Sequence, residues 1–153
     1  MVICSYIDDL ACWYSSEEDF KQLIKSFDDD GDEYNWELTV DSSLEEYLGI
    51  KMTTLPDGGI QLTQKGLIDR ILTTTKMSDC KGKASPTDGS GKPLGSDKEG
   101  VPGSASWSYP SVIGMLLYLA SNSRPDIAYA THMAARYTHA PKASHEAAVI
   151  RIC

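Results

Sequence analysis

No stretch of this sequence approaches the roughly 20 consecutive apolar residues that a membrane-spanning helix needs. Polar residues interrupt each apolar run within a few positions. The opening MVICSY lacks a basic segment leading into an apolar core and a small-residue cleavage site, so nothing marks the chain for secretion and an intracellular place is expected. Cysteine is sparse. Cys4, Cys12, Cys80 and Cys153 form no CxxC pair and have no histidines at zinc-ligand spacing, which excludes a zinc-finger pattern. They read as reduced thiols, with Cys4 and Cys12 facing each other across a first hairpin as a packing contact.

Basic residues are nearly missing from residues 1–60, which hold 15 acids and 3 bases, while residues 61–153 hold 7 acids and 11 bases. The net charge of −8 thus averages an acidic front at −12 and a mildly basic remainder at +4. Such asymmetry fits an interaction with nucleic acid, the basic part being compatible with phosphate contacts. A length of 153 residues with 41% hydrophobic content suits one ordinary domain or two small lobes.

What is present begins with VICSYIDDLACW, two adjacent carboxylates between short β-branched and aromatic runs. It reads as a β-hairpin with Asp8 and Asp9 at the tip, because Asp tolerates tight-turn backbone. Ser15, Ser16 and the acids at 17–19 suit a helix start. Phe20, Leu23, Ile24 and Phe27 then recur at i, i+3, i+4, i+7, the stripe of an amphipathic helix that packs on the hairpin. The acidic run at 28–33 is no EF-hand: its sixth position is Glu33 where Gly is required, and its twelfth is Thr39 where Glu is required.

Leu48, Ile50 and Met52 alternate on one face of a strand running from Tyr47 to Thr53, and PDGG at 56–59 turns the chain into Ile60-Gln61-Leu62, giving a second hairpin. Gly49 within that strand marks a bulge or a close approach of another backbone or ligand. Thr63 then caps a helix bearing Leu67, Ile68, Ile71 and Leu72 on one face, with Lys65 and Arg70 on its exposed side. Residues 81–107 collapse into Gly, Ser, Pro and Lys and read as a mobile linker or long surface loop. GSGKPLGS within it is not a P-loop, since Pro93 follows Lys92 and no strand precedes. Ser108-Tyr109-Pro110 starts a helix buried through Val112, Ile113, Leu116, Leu117 and Ala120, with Gly114 permitting close packing. Ser123-Arg124-Pro125-Asp126 caps another that carries Ile127, Ala130, Met133, Ala134 and Tyr137, and a last helix opens at Ser144 and is still in progress at Cys153. Arg124 reads as a salt-bridge residue, the three histidines as structural or exposed, and Trp36 and Trp107 as satellite packing.

The carboxylate pair carries the chemistry. Two like charges 4 Å apart repel by about 4 kcal/mol at an effective dielectric near 20, and a hard divalent cation removes that cost. Mg²⁺ takes oxygen ligands and typically binds through one or two carboxylates plus substrate phosphates, and paired ions of this kind drive phosphoryl transfer.

Tyr6-Ile7-Asp8-Asp9 between apolar strands resembles the YxDD motif of reverse transcriptases, and later stretches resemble the copia-type LTR retrotransposon form. YLGI at 47–50 is similar to its F/YLGI, and LTQKGLIDRIL at 62–72 to its LSQ- or LTQ-led thumb helix. YPSVIGMLLYLASNSRPDIAYAT at 109–131 resembles its YR-x-x-IG-x-LLYL…TRPDIAYA block, and HEAAVIRIC at 145–153 its H-x-x-A-x-RIL helix. The resemblance covers most of the chain outside the acidic loop and the Gly/Ser stretch. It implies an α+β fold: a partial palm over residues 1–62 holding both hairpins, a first thumb-like helix over 63–80, a linker over 81–107, and a helical thumb- or connection-like region over 108–153, truncated at its end.

By the same resemblance Asp8 is the main metal-binding carboxylate and Asp9 its less directly coordinating neighbour, with Mg²⁺ or Mn²⁺ as cofactor. Tyr6 lies beneath the primer terminus or incoming nucleotide, Leu48 and Gly49 grip the primer's 3′ end, and Lys65 and Arg70 touch the backbone of the template-primer duplex. The implied partners are an RNA or DNA template-primer and dNTP, in a cytoplasmic virus-like particle. The chain departs from the family in lacking the upstream palm strand with its further essential aspartate, the fingers, the integrase and the RNase H, and in having Tyr109-Pro110 where the family has YR. The fragment alone is therefore expected to be inactive. A second reading is a non-catalytic truncated remnant that at most binds nucleic acid.

Overall fold

Described by a computed structural model over residues 1–27, 38–41 and 44–153, the chain is α+β and divides into two compact units, Met1–Tyr47 and Leu48–Cys153. The sequence reading put the second hairpin with the first; here it shares a unit with the helices. The acidic run at 28–33 and Trp36 lie outside the described residues.

The first unit is built from the β-rich opening. Strands β1 (Val2–Tyr6) and β2 (Asp9–Trp13) pair antiparallel, Val2 opposite Trp13 and Tyr6 opposite Asp9. That register sets Cys4 opposite Ala11 and Cys12 opposite Ile3. Directly opposed side chains share a face and neighbours alternate, so Cys4 and Cys12 lie on opposite faces and do not meet as expected. Helix α1 (Glu17–Phe27) follows the predicted stripe: Phe20, Leu23, Ile24 and Phe27 are half-buried and the rest of its outward residues exposed. Tyr14 stacks on Phe20 with centroids 4.5 Å apart. Ala11 is the unit's one fully buried residue among those described. The short strand β3 (Glu46–Tyr47) closes the unit, and the Tyr47 hydroxyl donates to the Cys4 carbonyl at 3.2 Å.

The second unit opens with the antiparallel hairpin of β4 (Ile50–Thr54) and β5 (Ile60–Thr63), Lys51 opposite Thr63 and Thr54 opposite Ile60. Helices α2 (Lys65–Thr75), α3 (Tyr109–Asn122), α4 (Ala128–Ala135) and α5 (Ala143–Ile152) follow, with a 3-10 turn at Pro125–Ile127 before α4. Thr63 does not cap α2, because it is committed to the β5 ladder. Gln64 takes the cap position without a side-chain cap bond; its buried side chain instead accepts from Ser123 Oγ at 2.7 Å. Ser108 does cap α3, accepting from the Ser111 amide, and Pro110 occupies the first turn, where its missing N–H costs nothing.

One hydrophobic core joins Ile71, Val112, Ile113, Leu116, Leu119, Ile127, Ala130, Ala134, Val149 and Ile152. Leu119 is buried in it, whereas Leu117 only leans on it. Gly114 is exposed with open space where a side chain would stand, so it does not serve close packing. Trp107 packs against the core and stacks near Tyr109, as satellite packing anticipated. Among the described residues no helix is long and apolar enough to cross a membrane.

Residues 81–107 are irregular but not free. Tyr137 donates to the Leu94 carbonyl, Arg151 to the Thr87 carbonyl, and Ser144 to Asp97. The Glu146 carboxylate accepts from the amides of Ser104 and Ala105, and Pro102 bridges Lys142. Gly103 fits because a side chain there would press on the Glu146 carboxylate and, at 3.2 Å, the Pro141 carbonyl. The expected linker is a strap bound to α5 and to the segment that leads into it.

Candidate functional site

The hairpin register settles where the carboxylates stand. Because Tyr6 pairs with Asp9, the two-residue turn is Ile7 and Asp8, and Asp9 is the first residue of β2 rather than the second residue of the tip. Ile7 has φ +50° and Asp8 is not in the positive-φ region, the signs of a type II′ turn. A β-branched side chain in that region is an outlier that costs about 1–2 kcal/mol, and such strain concentrates at functional sites. Ile7 is also 82% exposed, and Asp8, Asp9 and Tyr6 are exposed with it. The hairpin thus brings Tyr6, Asp8 and Asp9 together on solvent-facing backbone. Desolvation first, then the charges of Cys4 and Asp9, hold the Tyr47 phenol above the ordinary tyrosine value.

A second turn has related features. Leu48 and Gly49 stand between β3 and β4 at φ +52° and +73°, the signs of a type I′ turn, so the predicted continuous strand from Tyr47 breaks there. Gly49 is a turn glycine: positive φ requires it, while a side chain at that point would meet open space. Apart from its chain neighbours, nothing among the described residues lies within 4 Å of where a Gly49 side chain would start. The Tyr118 hydroxyl of α3 donates to the Leu48 carbonyl at 2.6 Å. Sequence reasoning missed Tyr118, because helical periodicity marks it only as an outward residue.

On α2, Lys65 and Arg70 are both exposed. Lys65 pairs with Asp69 at 2.7 Å, one turn along, a surface pair worth at most about 1 kcal/mol. Arg70 forms no ion pair among the described residues. Arg124 is engaged as expected: its guanidinium donates twice to Asp126, at 2.8 Å each, and holds that carboxyl below its ordinary value. His132 and His139 are exposed, and His145 is wholly buried and structural.

The remaining chemistry-bearing groups are quiet. A shallow apolar cleft lined by Ile68, Leu116, Ile127 and Ile152 meets only the committed Arg124 and Cys153. Burial pushes the Cys153 thiol up, against a smaller lowering by Thr75, which is the opposite of an activated nucleophile. Gln64 Nε2 and Thr131 Oγ1 are buried without partners, and nothing in the structure explains them.

Asp8 and Asp9 supply the hard oxygen donors that Mg²⁺ prefers. Among the described residues no group of three or more His, Cys, Asp or Glu side chains stands together as a complete metal site. No family model, curated protein or solved structure matches the chain.

Proposed function

We propose that this chain is the YxDD-bearing palm segment and following thumb-like region of a copia-type reverse transcriptase, an RNA-directed DNA polymerase whose intact form works in a cytoplasmic particle. The observation that carries the reading is the exposed YIDD hairpin, with strained Ile7 presenting the Asp pair. It is supported by the ordered YLGI, LTQ, IG-x-LLYL…RPDIAYA and H-x-x-A-x-RI stretches. Mg²⁺ or Mn²⁺ held by Asp8, with Asp9 beside it, would activate the attacking primer oxygen and stabilise the leaving phosphate oxygen. Tyr6 underlies the primer terminus or incoming dNTP, Leu48 and Gly49 meet the primer's 3′ end, and Lys65 and Arg70 bind the duplex backbone.

A second reading, a non-catalytic remnant that binds nucleic acid, is favoured by one observation. Residues 61–153 carry 11 bases against 7 acids, a surplus compatible with phosphate contacts. Fluorescence anisotropy with the purified chain tests the first reading. It predicts that a template-primer with a recessed 3′ end binds better than a blunt duplex, with a Mg²⁺-dependent component that Asp8→Asn removes. Equal binding of both ends, or an Asp8→Asn profile identical to wild type, sinks it. Metal-dependent primer extension by the same preparation would overturn the second reading.

A further inference from the structure

We infer that Tyr118 is a positioning residue for the turn at Leu48 and Gly49, tying that turn to helix α3 so that its exposed backbone keeps one conformation for a primer end. The inference rests on the polymerase reading above. Tyr118 is the outward member of a helix whose neighbouring Leu116 and Leu119 are buried; its own side chain is 42% exposed and contributes little core. Its hydroxyl nonetheless reaches 70 residues back along the chain to the Leu48 carbonyl at 2.6 Å. Among the described residues this is the one side-chain hydrogen bond made to either turn residue.

The turn needs such a tie. Leucine at φ +52° occupies a region that non-glycine residues leave readily unless the surroundings over-determine it. Open space beside Gly49 means that packing does not supply that constraint from its side. Helix α3 is suited to supply it: Ser108 caps its start, its inner face belongs to the core, and Asn122 donates to the Tyr118 carbonyl at 2.7 Å. The hydroxyl, not the ring, makes the contact, so Tyr118→Phe removes the tie and little else. The open space beside Gly49 leaves room there for a ligand. A fixed backbone presented to solvent suits recognition of a chain end by main-chain groups.

The experiment uses the full chain, wild type and Tyr118→Phe, with Ser121→Ala, an exposed position on the same helix, as a control. It reads the thermal midpoint, the hydrogen exchange of the Gly49 and Ile50 amides by NMR, and anisotropy with a recessed template-primer and a blunt duplex. Tyr118→Phe is expected to keep the midpoint, to speed exchange at both amides by about 3- to 10-fold, as the loss of one modest hydrogen bond implies, and to reduce the preference for recessed ends by a similar factor. Ser121→Ala leaves all three unchanged. If wild type distinguishes recessed from blunt ends and Tyr118→Phe alters neither the amides nor the preference, the polymerase reading stands and the positioning role is overturned. If wild type binds both ends alike, the polymerase reading fails, and the role falls with it whatever the amides do.

Discussion

Tyr109 is a phenol that the fold keeps neutral. It is 3% exposed, and its hydroxyl donates to the Ala134 carbonyl at 2.9 Å. Burial first, then the charges of Glu146 and Tyr137, push its pKa up to about 12. An unfolded chain ionises tyrosine near pH 10. The folded value lies above the unfolded one, so this contribution to stability is complete below about pH 10 and is lost as pH rises toward 12. Urea unfolding at pH 9 and pH 11.5 should show wild type losing about 1–2 kcal/mol more than Tyr109→Phe across that window, while the variant is less stable by about 1 kcal/mol at neutral pH for want of the hydrogen bond. Parallel losses in the two proteins would refute it. The same scale shows where side-chain preference misleads. Asp is the better turn former, yet the pairing of Tyr6 with Asp9 assigns the left-handed position to Ile7, and register is a property of two strands that one residue's preference does not contain.

The elements legible beforehand were those with a periodic apolar stripe. Phe20, Leu23, Ile24 and Phe27 announce α1, and Val112, Ile113, Leu116 and Ala120 announce α3, because burial on one face forces the spacing. The strap at 81–107 was illegible for a matching reason. Many of its ties end on backbone carbonyls and amides, at Thr87, Leu94, Gly95, Ser104 and Ala105, and those groups are the same in every residue. His145 is its central fastening. The ring is wholly buried, stacks on Tyr137 with centroids 4.0 Å apart, accepts from the Lys142 amide at Nδ1 and donates from Nε2 to the Gly95 carbonyl. His145→Ala removes two hydrogen bonds and leaves a cavity, with an expected cost of about 3 kcal/mol. Limited proteolysis should then cut within 81–105 about 100-fold faster than in wild type. Unchanged cutting would mean that the strap is held without the histidine.

Across the whole molecule, apolar burial is unevenly shared. The core cluster belongs to the helical unit, whereas the first unit buries Ala11 fully and leaves Val2, Ile3, Tyr6, Leu10, Trp13 and Tyr14 exposed among its described residues. Local stability follows buried apolar contacts. Amide exchange should therefore find β1 and β2 protected by about 10-fold or less and the centres of α3 and α4 by about 1,000-fold or more. Equal protection in both would contradict the division. The strap adds a matter of timing. Arg151 closes on Thr87 over 64 residues and His145 on Gly95 over 50, and loops of such span form only after their far ends exist and have found their place. In a chain growing from its amino end, residues 81–107 emerge well before α5 does. Their amides and carbonyls wait in water until that helix arrives, and its arrival completes the strap.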